Sequence, residues 1–201
     1  MISAIILAAG QSSRMGQPKM LLPWGKVSIL EHVISVFAGA GTEDILVVTG
    51  AVREQIAEVV TDCATRYPVR SVHNEDYARG EMLSSLQCGL DALMSVPDNA
   101  PDAALIGLGD QPQVQERSVR LVCEAFRRTG NPLVVPSFHR RRGHPWLVAR
   151  ELWKELLEMQ TPLSPRDFLN AHAGEIHYVN VETASILADL DTPEEYRASH
   201  P

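Results

Sequence analysis

Cysteine is scarce in this 201-residue sequence: Cys63, Cys88 and Cys123 stand alone, odd in number and without a Cys-x-x-Cys pair. That excludes a disulfide framework and an ordinary structural zinc site, and leaves buried free thiols as the expectation. No apolar run suits a membrane span, and the apolar start meets a glycine loop too early, with no basic leader, for a signal peptide. A cytoplasmic protein with no membrane partner is expected. A basic excess is missing as well, since the formal net charge is −7, whereas chains that track nucleic-acid phosphates present a broad basic face. Nucleic acid is therefore not an expected partner, and nucleotide binding is confined to a local basic pocket. Repeats, low-complexity tracts and an interdomain linker are absent. A chain of this length buries most of its apolar surface in one core, which makes residues 1–201 a single expected domain.

What is present is an alternation of short apolar runs with amphipathic segments. Residues 3–8, 45–49, 69–73 and 103–108 read as strands, each followed by a helical pattern. This predicts an α/β fold with a mostly parallel sheet. Ile29, Val33, Val36 and Phe37 form one helical stripe, with Ser28 as its cap; Leu83, Leu86, Leu90 and Leu93 form a second, and Val119, Val122, Cys123 and Phe126 a third. Those residues are core. Pro97 to Pro101 reads as a surface turn, and Thr129 to Pro132 closes the third helix before the apolar run Leu133–Val135. Helices near 150–159 and 166–172 and a strand near 175–181 elaborate the same domain.

The first strand opens into a glycine-punctuated loop with two cations, from Ile5 through Leu7, Ala8, Ala9, Gly10, Ser12, Ser13, Arg14 and Gly16 to Lys19. Small residues let backbone approach a ligand, Gly16 permits a left-handed turn, and successive N–H groups make an anion-binding concavity. Arg14 and Lys19 add mobile positive charge. The spacing from Gly10 to Gly16 to Lys19 fits neither Gly-x-Gly-x-x-Gly nor Gly-x-x-x-x-Gly-Lys-Ser/Thr, so hydride transfer and P-loop chemistry lose ground. Asp110 lies just past a buried strand, in Gly109-Asp110-Gln111-Pro112. Open α/β sheets bind ligands there, and magnesium needs only one or two carboxylates besides substrate phosphates and water. In Asp189-Leu190-Asp191-Thr192-Pro193-Glu194-Glu195, Thr192, Pro193 and Glu195 spell a capping box, which leaves Asp191, and second to it Asp189, available to metal.

The initial run resembles the nucleotidyltransferase signature Leu-Ala-(Ala/Gly)-Gly-x-x-x-Arg-Met-Gly-x-x-Lys, and is similar to its molybdenum-cofactor branch. The resemblance implies a Rossmann-like three-layer α/β/α, GT-A-like fold. It places Arg14 at the outer phosphates, Lys19 near the α-phosphate and Mg2+ on Asp110, with Asp191 completing the metal site. The stretch from Asn74 and Tyr77 to Gly80-Glu81-Met82-Leu83-Ser84-Ser85 resembles the family's nucleotide-side serine motif, with Glu81 inserted. Asn74, Ser84 and Ser85 are its nucleotide candidates, and N-capping is the competing role for a serine there. Arg140-Arg141-Arg142-Gly143-His144-Pro145 resembles the family's Gly-His-Pro element on the acceptor side. Gly143 and His144 are the acceptor candidates, and the arginines suit an anionic acceptor. The remaining histidines, including His32, His172 and His177, show no ligand spacing.

The implied reaction is Mg-dependent nucleotidyl transfer with release of pyrophosphate. The Ala8-Ala9-Gly10 start tips the reading to CTP, with molybdopterin or the molybdenum cofactor as acceptor and a molybdenum hydroxylase apo-enzyme as downstream partner. A sugar phosphate or another alcohol phosphate is the alternative acceptor. A non-catalytic molybdenum-cofactor-binding maturation factor is the alternative role.

Overall fold

A computed structural model of the chain describes residues 1–11, 15–79, 81–96 and 100–201, and only the backbone of Glu81. The predicted turn at Pro97, the expected phosphate-loop residues Ser12, Ser13 and Arg14, and Gly80 lie outside the described residues. Seven strands form the main path of one sheet: β1 (Ile2–Ala8), β4 (Asp44–Thr49), β5 (Val69–His73), β6 (Ala103–Leu108), β7 (Leu133–Phe138), β9 (Trp146–Ala149) and β10 (His177–Asn180). Their order across the sheet is β10-β7-β9-β6-β1-β4-β5, and a two-residue strand, β8 (Arg141–Arg142), pairs with β7. A separate hairpin joins β2 (Pro23–Trp24) to β3 (Val27–Ser28).

Strand β1 is parallel to both β4 and β6, and β4 is parallel to β5. All seven residues of β1 are buried. Its side chains split by the period of two that a strand imposes. Ile2, Ala4, Ile6 and Ala8 join one apolar cluster and Ile5 and Leu7 the other, and β4 repeats the division with Ile45 and Val47 against Leu46 and Val48. Parallel strands covered on both faces read as continuous apolar runs for this reason.

One face is covered by α1 (Ile29–Gly39), α2 (Arg53–Cys63) and α4 (Glu116–Thr129), through Val33, Phe37, Ile56, Val60, Val119 and Val122 among others. The other is covered by α3 (Glu81–Met94), α5 (Trp153–Glu158) and α6 (Pro165–Ala171), through Leu86, Leu90, Trp153, Leu156 and Phe168. The predicted three-layer α/β/α arrangement is thus the one observed, and the three apolar stripes lie on α1, α3 and α4. Ser28 caps α1 as expected, its hydroxyl accepting from the Glu31 N–H at 3.2 Å. A last helix, α7 (Pro193–Ser199), starts at the expected capping box on Thr192 and Glu195.

Cys63 and Cys123 are buried, and burial pushes both thiols up to about 11. Cys88 is only half-buried, at the periphery of the second apolar cluster, where its Sγ lies 3.6 Å from the His73 carbonyl of edge strand β5. Among the described residues no helix is long and apolar enough to cross a membrane.

Topology dictates where the chemistry-bearing residues meet. The carboxyl ends of parallel β1, β6 and β5 lie at one edge, which delivers Ala8, Asp110 and Asn74 there. Strand β9 runs antiparallel to β6, with Trp146 opposite Ile106. Its beginning, and so the preceding Gly143-His144-Pro145, therefore arrives at the same edge. The chain leaving β10 crosses back over this edge: the Val181 N–H donates to the Ser137 carbonyl at 3.0 Å and the His144 N–H to Ile186 at 3.0 Å. That return carries Asp189 and Asp191 to the first loop.

Candidate functional site

Lys19 opens a single 3-10 turn, Lys19–Leu21, below β1. Its ammonium reaches across the edge to two carboxylates, with Nζ 2.5 Å from Asp110 Oδ2 and 3.0 Å from Asp191 Oδ1. Burial works against the ammonium, but Asp110 and Asp191 outweigh it and hold its pKa above the ordinary lysine value. These three residues, far apart in sequence, are brought into contact at this edge. Gly16 adopts φ +67, the left-handed turn expected of it.

The neighbouring carboxylate, Asp189, is held differently. Gln111 Nε2 donates to Asp189 Oδ1 at 2.6 Å, and Gln111 itself is 2% exposed. Burial raises the Asp189 pKa, as do the charges of Asp110 and Asp191, while the Gln111 bond and Lys19 oppose the shift. The two aspartates of the Asp-Leu-Asp segment are therefore distinguished: Asp191 shares Lys19 with Asp110, and Asp189 turns to Gln111. Leu190 between them is buried with Met15, Leu22, Trp24 and Ile29 in a small cluster that ties the segment to the first loop. The Tyr196 hydroxyl of α7 reinforces the tie by donating to the Pro23 carbonyl at 2.6 Å.

Asn74 is 5% exposed and positions the start of α3. Its Nδ2 donates to Ser84 Oγ at 2.9 Å and Ser85 Oγ at 3.1 Å, and its Oδ1 accepts from the Asp76 N–H at 3.0 Å. Of the two serines, Ser85 lines a cavity of about 280 Å³ together with Leu7, Ala9, Gly10, Leu108 and Asp110. Asn74 does not line that cavity. The expected nucleotide-side residues thus divide into lining groups and a buried residue that holds them. Ala8 is buried on the opposite face, against Met20 and Leu30.

A larger cavity, about 1020 Å³, adjoins on the far side of His144. Gly143, His144, Arg140, Arg141 and Arg142 line it, and α6 contributes Arg166. The three-arginine run does not act uniformly. Arg142 is engaged, donating from Nε to the Tyr178 hydroxyl at 2.9 Å and from Nη1 to Asn170 Oδ1 at 2.9 Å and the Leu169 carbonyl at 3.2 Å. Arg140, Arg141 and Arg166 are exposed at the rim. Among the described residues no acidic side chain lines this cavity, and its described rim carries the positive charge of the arginines. His144 is half-buried, and burial lowers its imidazole pKa to about 4 against the opposing charge of Asp110. It is neutral near pH 7.

Sequence reasoning missed Arg166 and the wall function of Met82. Arg166 sits inside a Ser164-to-Asp167 capping box, a purely structural signature. Met82, 43% exposed, lines both cavities and is their common wall. Its place at the start of α3, beside the inserted Glu81, was the available signal. Among the described residues, no three His, Cys, Asp or Glu side chains are gathered closely enough to hold a metal alone. Oxygen donors that rely on substrate phosphates to complete a metal's coordination have this sparse form.

The family of MobA-like NTP transferase domains matches residues 4–176. The molybdenum cofactor cytidylyltransferase of Escherichia coli K12 is 29% identical over 195 residues, covering 97% of this chain and 93% of that protein. Nicotine blue oxidoreductase of Paenarthrobacter nicotinovorans is 27% identical, covering 96% of this chain and 94% of that protein. A nucleotidyl transferase from Methanothermobacter thermautotroptrophicus shares the fold at a TM-score of 0.79 and 24% identity, covering 100% of this chain and 96% of that one.

Proposed function

The chain belongs to the MobA-like NTP transferase family, and from that premise we propose that it transfers CMP from CTP to molybdopterin or the molybdenum cofactor, releasing pyrophosphate. The observation that carries this reading is the joint contact of Lys19 with Asp110 and Asp191. It stands where a small cavity lined by the first loop meets a large arginine-rimmed one. Donor and acceptor thus have separate seats flanking one charged centre. The choice of CTP and a pterin rests on the Ala8-Ala9-Gly10 start and on the whole-length likeness to the Escherichia coli cytidylyltransferase.

The triphosphate occupies the small cavity, with Leu7, Ala9 and Gly10 offering close backbone approach and Ser85 facing the base side. Arg14, from the motif alone, holds the outer phosphates together with Ser12, Ser13 and Gly16. Asn74 acts through Ser84 and Ser85 by fixing the turn that bears them. The acceptor's anionic end enters the large cavity, where Arg140, Arg141 and Arg166 offer guanidinium forks and Gly143 and His144 form the wall nearest Asp110. Neutral His144 adds no charge there.

In the chemical step an acceptor phosphate oxygen attacks the α-phosphorus in line, a new P–O bond forms, the bond to the β-phosphate bridge breaks, and pyrophosphate departs. No protein base is required, because a phosphate monoester is ionised at neutral pH. Lys19 offsets charge that grows at the α-phosphate as the bonds change. Asp110 and Asp191 supply a hard oxygen pair that already shares one cation, which fits Mg2+. Asp110 and Asp191 would hold the ion, which would supply Lewis-acid neutralisation of phosphate charge.

The experiment is pyrophosphate release with CTP, GTP, ATP or UTP, each paired with molybdopterin, its molybdenum-loaded form or a panel of sugar phosphates, with and without Mg2+. Release with CTP and a pterin supports the proposal. Release only with a sugar phosphate keeps the mechanism and changes the acceptor, and silence across the panel favours a cofactor-carrying maturation factor.

A further inference from the structure

We propose that Gln111 is a positioning residue for the carboxylate pair: by binding Asp189 it fixes the returning segment so that Asp191, and not Asp189, meets Asp110. The inference rests on the proposed metal role of that pair and makes Asp189 an anchor instead of a ligand.

Gln111 is itself firmly placed. Its turn follows β6, where the Gly109 N–H donates to the Leu7 carbonyl at 2.9 Å, the Gln111 N–H to the Leu108 carbonyl at 3.4 Å and the Val114 N–H to the Gln111 carbonyl at 3.3 Å. The side chain is 2% exposed and donates from Nε2 to Asp189 Oδ1 at 2.6 Å. A short hydrogen bond to an ionised acceptor is roughly twice as strong as one between neutral groups. The other end of the amide bears on why a glutamine stands here. Gln111 Oε1 is buried and has no hydrogen-bond partner among the described residues. An unpaired buried carbonyl destabilises, and a leucine or methionine would fill the same volume without one. What Nε2 holds, and not packing, accounts for the amide.

The spacing gives that bond its consequence. Gln111 adjoins Asp110, and Asp189 lies two residues before Asp191, so one bond spans the two segments that bear the pair. Leu190 is buried with Met15, Leu22, Trp24 and Ile29, and the Asp191 N–H donates to Glu195 Oε2 at 2.9 Å. With Asp189 turned to Gln111 and Leu190 to that cluster, Asp191 is the carboxylate presented to Lys19, 3.0 Å from its Nζ. Magnesium takes one or two carboxylates and leaves its remaining positions to phosphates and water. A third carboxylate swinging in would occupy a position the substrate needs, and Gln111 holds it aside.

The test is equilibrium binding of Mn2+ to the full chain, read from the free-ion paramagnetic resonance signal, in wild type, Gln111→Met, Asp110→Asn and the double variant Gln111→Glu with Asp189→Asn, each at a temperature where melts show it folded. Gln111→Met removes the bond and keeps every charge. The double variant exchanges donor and acceptor between isosteric side chains, so the bond and the total charge survive while position 189 loses its carboxylate. Gln111→Met is expected to weaken Mn2+ binding about 10–100-fold, the usual effect of losing a group that orients a ligand, and the double variant to bind as wild type does. A ligand role for Asp189 predicts the reverse, full affinity in Gln111→Met and loss in the double variant, and that result overturns the proposal; so does loss in both or in neither. Affinity that ignores Asp110→Asn removes the metal role by itself, and crystal structures of the same variants then decide the positioning role. Lys19 should part from Asp191 in Gln111→Met and meet both carboxylates in the double variant; an unchanged contact in Gln111→Met overturns the proposal. Should Gln111→Met fold poorly, Gln111→Asn, whose amide is one carbon too short to reach Asp189, replaces it.

Discussion

The backbone N–H of His144 donates to the Ile186 carbonyl at 3.0 Å, and the α-carbon of Gly143 lies so close to the same residue that a side chain there would collide with the Ile186 carbonyl and Cβ. The return segment from β10 thus clamps the Gly-His-Pro element onto the sheet edge. Gly143→Ala must force the two strands of backbone apart. We expect a stability loss of about 1–3 kcal/mol, the usual cost of overpacking, together with a higher KM for the acceptor and little change in nucleotide affinity. Thermal melts and separate titrations of the two substrates check this; an unchanged acceptor KM would remove Gly143 from the acceptor wall.

Gln111→Leu leaves the Asp189 carboxylate without its 2.6 Å donor while keeping the buried volume nearly filled. An orphaned, partly buried acceptor costs about 1–3 kcal/mol. The expected result is a lower melting temperature at pH 7 that the further change Asp189→Asn does not deepen, because the two residues act as one unit. Additive losses in the double variant would show that the pair is not coupled.

Much of this was legible in the sequence, for identifiable physical reasons. Strands β1, β4, β5 and β6 announce themselves because parallel strands covered on both faces leave uninterrupted apolar runs, and Ser28 and Thr192 show themselves as caps by side-chain chemistry alone. Asp110 was readable from its place after such a run. The division between Asp189 and Asp191 was not, since both lie on one short segment and only the Gln111 contact separates them. The engagement of Arg142 was hidden for a similar reason: its partners, Leu169, Asn170 and Tyr178, come from α6 and β10, more than 25 residues away in sequence. Met82 as a shared wall was hinted at only by its place beside the inserted Glu81, because the two cavities it divides are built from distant segments.

His172 bridges α5 and the end of α6, its Nδ1 3.0 Å from Glu175 and its Nε2 2.9 Å from Glu155, against the Phe168 ring. Bonds to Glu175 and Glu155 outweigh burial and raise its pKa above the ordinary histidine value. A histidine whose folded pKa lies above its unfolded one stabilises fully below about pH 6.5 and loses that stabilisation as pH rises through the folded value. His172→Gln should therefore lower the melting temperature at pH 6 and change it less at pH 9, with a contribution on the order of 1 kcal/mol for such partly exposed pairs. A loss equal at both pH values would assign His172 a packing role alone.

His144 predicts the opposite limb. Its pKa is lowered to about 4 by burial, so the folded protein keeps it neutral where the unfolded chain is protonated. Stability from this group is present above about pH 6.5 and lost as pH falls toward 4, a loss of about 2 kcal/mol once its partial exposure is allowed for. In His144→Gln the melting temperature should decline less between pH 6.5 and 4 than in wild type. An unchanged acid slope would place the ring in a wetter setting than the cleft wall described above.

Catalysis separates the two partners of the central contact. Asp110→Ala removes one of the two carboxylates that hold the site's positive charge and no core packing, since its side chain is 22% exposed. Turnover should fall by at least about 100-fold, as for loss of a key charge-stabilising group, with the fold intact by circular dichroism; retained activity at saturating Mg2+ would sink the metal role. Lys19→Ala should act on kcat more than on nucleotide affinity, because the ammonium is bound to Asp110 and Asp191 in the free protein and is asked to meet the α-phosphate only as charge develops. A loss confined to nucleotide affinity would make Lys19 a ground-state anchor, and would place the catalytic charge on Arg14 and the metal instead.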